Sequence, residues 1–247
     1  MAGQYAKAAE TYETIIERIK QWVDPETSGH NAFLRRYLAL SKFQPQKMVL
    51  NSTATIPAKT DKMGLITVPV TMGNKTLDFI FSTGSGYCAI SEDNAKQMGI
   101  KDTGIEMDGF DDSNNLQVKM KLGVAEKMKI GNVEFENILF LIKPGKLTEK
   151  DAPDYAINGM IGLNAMLIMG EIEYDKSNNM ITVLDKPKKY DSANLMFNNS
   201  RLFAQGISGD NTLLMDFDTR ALKTYMTSRF HHRYGLDYEK TAAHGTM

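Results

Sequence analysis

The chain has one cysteine, Cys88, so no disulfide can form within it, and cysteine usage leaves its redox compartment open. An excess of one charge is missing as well. Against 29 Lys and Arg stand 30 Asp and Glu, a formal net charge of -1, which gives no field to draw in nucleic acid or an anionic membrane. No apolar run approaches the roughly 18 residues of a spanning helix, and the N-terminus reads as a polar helix instead of a signal peptide. Histidine is scarce. His30 and His244 stand apart, and the neighbours His231 and His232 point to different sides of a helix with no cysteine or carboxylate at ligand spacing, so neither metal nor other cofactor is expected.

What the chain does have is 42% hydrophobic and 24% charged residues over 247 positions, material for one sizeable core or two smaller domains. Methionine, at 16, fits a role as flexible core filler. Cys88, between Tyr87 and Ala89 in an expected strand, is either a small buried filler or a reactive thiol. Tyr5, Ala8, Ala9, Tyr12, Ile15, Ile16, Ile19, Trp22 and Val23 recur at helical spacing, so the first segment is an amphipathic helix ending near Asp24-Pro25. A second helix is expected from Asn31 to about Ser41. Residues 44–63 carry Pro, Thr and Lys without helical period and read as an extended linker.

The central signal is Leu77-Asp78-Phe79-Ile80-Phe81-Ser82-Thr83-Gly84-Ser85-Gly86. Leu77, Phe79 and Phe81 alternate with Asp78 and Ile80, so a buried strand delivers Ser82 to its end, where two glycines allow positive φ or close backbone approach. Leu65 to Met72 alternates as the partner strand, turning at Gly73-Asn74. Ser91 to Gly99 reads as a short capped helix. Gly159-Met160-Ile161-Gly162-Leu163 places two apolar residues and a glycine before another helix, and Lys176-Ser177-Asn178-Asn179 turns a hairpin between residues 170–175 and 180–184.

From about Gly64 to Leu184 this order resembles the retropepsin-like aspartic peptidases, with Ser82 standing where their Asp-Thr-Gly loop carries the catalytic aspartate. The opening Gln4 to Tyr12 also resembles half of a tetratricopeptide repeat, which one helix pair cannot complete alone. A helical hairpin packed on the next domain is the alternative. The resemblance implies a mainly β fold: a helical segment at 1–43, a linker at 44–63, a β-barrel lobe at 64–190, and a partial second lobe at 191–247. The second lobe rests on an internal echo. A shift of 136 positions lays Phe81-Ser82-Thr83-Gly84 on Phe217-Asp218-Thr219-Arg220 and Gly99 on Gly235. The echo keeps the aspartate and loses the glycine.

An aspartic peptidase site needs two carboxylates in contact, because like charges so close cannot both ionise and the pair then offers an acid and a base. By resemblance, Ser82 and Asp218 occupy the two dyad positions, Thr83 and Thr219 brace the loops, and Gly84 completes the first turn. A serine there gives no second carboxylate. Whether Ser82 is a natural or an introduced residue is open. As a nucleophile Ser82 lacks an adjacent base, the nearest lysines in sequence being Lys75 and Lys96. Phe110, Asp111, Asp112 and Ser113 lie in a turn-rich hairpin that is either the substrate-covering flap of the family or a plain surface hairpin. The implied partner is an extended polypeptide, with a homodimer as a further option, and the resemblance implies an extracytoplasmic home. A non-catalytic binding or assembly module is the competing reading, and a structural fragment a third.

Overall fold

The computed structural model describes residues 4–24, 26, 29–111, 116–149, 152–198, 200–221, 223–225 and 227–234. In chain order they form α1 (Tyr5–Ile19), α2 (His30–Leu40), β1 (Lys47–Val49), β2 (Ala54–Pro57), β3 (Lys59–Thr60), β4 (Ile66–Met72), β5 (Lys75–Phe81), β6 (Cys88–Ser91), α3 (Glu92–Gln97), β7 (Lys101–Asp111), β8 (Leu116–Ile130), β9 (Val133–Lys143), β10 (Leu147–Glu149), β11 (Ala152–Ile157), β12 (Gly159–Ile161), α4 (Leu163–Met169), β13 (Ile172–Asp175), β14 (Met180–Val183), β15 (Leu195–Asn198), β16 (Arg201–Ser208), β17 (Asn211–Asp216) and α5 (Ser228–Tyr234).

The main sheet closes on itself. The path β9-β6-β12-β5-β4-β8 returns to β9 through the β8–β9 pairing, so these strands form a barrel with no free edge among them. Inside it, Val68, Val70, Phe79, Ile90, Ile130, Phe135, Phe140 and Ile161 are buried, and Phe79 meets Phe140 edge to face at 6.3 Å. Parallel pairing appears where the chain crosses over: β12 runs parallel to β5, and β6 parallel to β9. Ser91 caps α3 by accepting the Asn94 N–H, and Gly99 leaves that helix at φ 72°.

Residues 44–63 do more than link. β1 pairs with β9, β2 with β14 and β3 with β4, and fully buried Ile56 joins the barrel core with Ile181 and Val183. In place of the expected linker, the segment therefore holds three short strands paired into the lobe.

The helices cover the outside of the barrel. Tyr5, Ala9, Tyr37 and Leu40 pack on Leu122, Val124 and Leu139 of β8 and β9, the face opposite Phe140. The Tyr12 ring stacks between Phe33 and Tyr37, with both centroids at 5.4 Å. Desolvation raises the phenols of Tyr5 and Tyr37, the latter to about 12. The Tyr5 hydroxyl is buried without a hydrogen-bond partner.

β15, β16 and β17 form a separate three-stranded antiparallel sheet that repeats the first hairpin. Val70 opposite Leu77 becomes Gly206 opposite Leu213, and Thr71 opposite Thr76 becomes Ile207 opposite Thr212. Even the turn glycines correspond, Gly73 at φ 59° and Gly209 at φ 56°. α5 stands where α3 would fall. The packing differs, because Phe79 is fully buried whereas its counterpart Met215 is 41% exposed.

Two substitutions at Tyr5 separate its ring from its hydroxyl. Tyr5→Phe removes a buried, unbonded hydroxyl and is expected to raise unfolding free energy by about 1 kcal/mol. Tyr5→Ala should lower it by about 3–5 kcal/mol through the cavity left behind. Urea unfolding of the three proteins measures both.

Candidate functional site

The two Thr-bearing turns meet. Thr83 Oγ1 donates to the Phe217 carbonyl at 2.7 Å, and Thr219 Oγ1 donates to the Phe81 carbonyl at 2.7 Å. Each backbone amide returns the gesture: Thr83 N–H donates to Thr219 Oγ1 at 3.1 Å, and Thr219 N–H to Thr83 Oγ1 at 2.9 Å. The two threonines lie 136 positions apart, and the four bonds form a near two-fold set built by one chain. Threonine suits the role because one hydroxyl both donates and accepts.

Asp218 is drawn into the same junction. Its Oδ1 accepts the Arg220 N–H at 2.8 Å and, from the other loop, the Gly84 N–H at 3.1 Å. Gly84 has no left-handed φ. Its requirement is space, since a Cβ there would lie 2.2 Å from the Asp218 Cγ. Of the two reasons a glycine could be needed, close approach is the one that operates. Arg220 follows Asp218 with no positive φ, so a side chain there meets no backbone strain.

Ser82 lies at the end of β5, fully buried, with its amide donating to the Ile161 carbonyl at 3.0 Å. Its hydroxyl oxygen has no hydrogen-bond partner. Such groups are few in native proteins, and each costs about 1–3 kcal/mol when left unmade.

Gly162 locks the first loop from behind. Leu163 N–H donates to the Ser85 carbonyl at 2.8 Å and Asn164 N–H to that of Gly86 at 3.2 Å, while a Cβ on Gly162 would stand 2.3 Å from the Tyr87 carbonyl oxygen. Ser85 Oγ donates to the same Tyr87 carbonyl at 2.6 Å.

Two supporting residues were not anticipated from the sequence. Buried Asn164 accepts the Cys88 N–H at 2.7 Å and donates to the Leu139 carbonyl and to Gln46 Oε1, both at 2.9 Å. Gln46 Oε1 also accepts the Leu139 N–H at 2.9 Å. The available signal was a lone amide inside the apolar run Ile161 to Met169, where burial demands partners. Cys88 lies beside this network, wholly buried, and burial pushes its thiol up to about 12 against the donating Gly162 N–H. It is a core filler.

The structure thus brings Ser82, Thr83 and Gly84 together with Asp218 and Thr219. Phe110 and Asp111 end β7, whereas Asp112 and Ser113 lie outside the described residues. β7 and β8 remain paired past Lys121, where β9 stops pairing, as a two-stranded ribbon from Met107–Met120 to Asp111–Leu116. Among the described residues no group of three or more His, Cys, Asp or Glu side chains is placed to hold a metal ion, and no helix is long and apolar enough to cross a membrane.

Residues 68–165 match the model of a family described as aspartyl protease. No curated protein matches the sequence. Among solved structures, the chain is similar to a retropepsin-like aspartic protease from Rickettsia conorii at 17% identity and TM-score 0.35, over 56% of this chain and 90% of that one. It is also similar to basic 7S globulin from soybean (10% identity, TM-score 0.41, 61% of this chain and 58% of that one). Conglutin gamma, a basic 7S globulin from lupine seeds, is a third (11% identity, TM-score 0.36, 54% and 49%).

Replacing Thr219 by the isosteric Val deletes one hydrogen bond outright and strands the Thr83 amide, so unfolding free energy should drop by about 1–3 kcal/mol. Hydrogen exchange should show β15 to β17 losing protection first. For Cys88, no reaction with a thiol reagent is expected at pH 8 until denaturant is added. The native thiol keeps its proton while the unfolded one releases it near its ordinary value of 9.0. Stability from this group is therefore full below that pH and is lost as pH rises toward about 12. Urea unfolding of parent and Cys88→Ala across that range measures the difference in slope.

Proposed function

From the premise that this chain carries a retropepsin-like domain of the aspartyl protease kind, we propose that it is an acid-protease site reduced to one carboxylate, binding extended polypeptide between its lobes, across the two joined loops and under the β7–β8 ribbon, without efficient cleavage. The observation that supports this is the reciprocal Thr83–Thr219 hydrogen bonding, which joins the turn that carries Ser82 to the turn that carries Asp218. Both loops come from a single chain, so joining them asks for no second copy.

The chemistry follows from what each position can hold. A carboxylate pair shares a proton, one member drawing a proton from water while the other protonates the scissile carbonyl. Asp218 alone can orient a water, but Ser82 cannot serve as the acid, because a serine hydroxyl keeps its proton near neutral pH. The orphaned Ser82 hydroxyl supports the reading: its surroundings do not complete a hydroxyl's hydrogen bonds.

A second reading, a polypeptide-binding or assembly module that never cleaves, is favoured by one specific feature. Arg220 takes the place that glycine holds in the first loop, so the second turn has diverged further than a one-residue change at Ser82 requires.

Ser82→Asp discriminates. With an unfolded protein such as carboxymethylated casein as substrate, the variant should cleave about 10²–10⁴ times faster than the parent, with a bell-shaped pH profile below neutrality. Adding Asp218→Asn should remove the gain. A folded Ser82→Asp protein that still binds casein yet cuts nothing between acid and neutral pH would establish the binding module instead.

A further inference from the structure

The helical hairpin touches both walls that the polypeptide-groove reading uses, and does so with one cluster. Tyr5, Ala9, Tyr37 and Leu40 sit over Leu122, Val124 and Leu139, and the rim of that cluster holds Ile105 and Met107 of β7 together with Tyr87. Ile105 stands opposite Leu122 and Met107 opposite Met120, so their side chains share the face that the helices cover. Met107 is on the first rung of the ribbon beyond the end of β9 pairing. Tyr87 immediately follows the Ser82–Gly86 loop, and its carbonyl is the one held by Ser85 Oγ.

An isolated two-stranded ribbon is only marginally ordered in water and takes its position from whatever packs on its base. Here that base rests on α1 and α2, which rest in turn on the exit of the Ser-Thr-Gly loop. We propose that the helical hairpin is a strap: it fixes the base of the β7–β8 ribbon relative to the Ser82–Gly86 loop, and so sets how readily a polypeptide enters between them. The proposal rests on the groove reading for its consequence, but the mechanical coupling is independent of any ligand.

Hydrogen exchange on the full chain without ligand tests it. In Tyr5→Ala, amides of residues 105–109 and 117–122 should be accelerated over the parent by at least about tenfold more than those of β13 and β14, which report only the general loss of stability. Acceleration confined to α1 and α2, with the ribbon unchanged, overturns the strap. So does equal acceleration of the ribbon and of β13 and β14. Should Tyr5→Ala fail to fold, Tyr12→Ala, which removes the ring stacked on Phe33 and Tyr37, is read in the same way. Absence of carboxymethylated casein binding in the parent would sink the groove reading while leaving the exchange result, and with it the coupling, standing.

Discussion

Two threonine hydroxyls hold the two turns of this molecule together. Each has one proton to give and lone pairs to receive, and each gives to a carbonyl of the opposite loop while receiving that loop's amide. These bonds sit in a partly buried junction, where an unmade bond is costly, so the turns are fixed more firmly than their short length would allow by local forces alone. The position of Asp218 beside Gly84 follows from that clasp. So does the placement of the β15–β17 sheet against the barrel.

The barrel supplies the second constraint. A closed ring of strands with an apolar interior leaves its loops as the places where polar groups can gather, and the Ser82 turn is pinned from two sides. β12 brings Gly162 up against it with no side chain to intervene, and Asn164 ties the helix behind to β6, β9 and Gln46. On the acid-protease reading proposed above, this supplies the rigidity that an acid-base pair would need, and the element still wanting would be a second carboxylate.

Much of this was readable in the sequence, for identifiable reasons. The Leu77–Phe81 alternation, the Gly73 turn, the Ser91 cap and the Gly162 helix entry are local signals, and each element formed where its residues pointed. The repeat was visible because Phe217-Asp218-Thr219 and Gly235 keep the spacing of Phe81-Ser82-Thr83 and Gly99, whereas the matching hairpin length and turn glycine came from the structure. Strands β1 to β3 were not legible, because two to four residues bearing Lys, Thr and Pro have no period of their own and owe their conformation to partners far along the chain. Gln46 looked like part of a spacer for the same reason. Tyr87 gave no sign that it would meet the helical cluster, since a tyrosine between a loop and a strand is compatible with many surroundings.

The empty Cβ position of Gly84 has one more implication. The Asp218 carboxylate fills the volume that a single methyl group would need, so this glycine is constrained by a residue far along the chain and not by its own backbone. Side chains larger than hydrogen become admissible at position 84 only when the second turn has swung away. The smallest residue in the loop is thus a gauge of engagement: how well the chain tolerates alanine there reports, without any substrate or assay of turnover, how much of the time the two turns are docked.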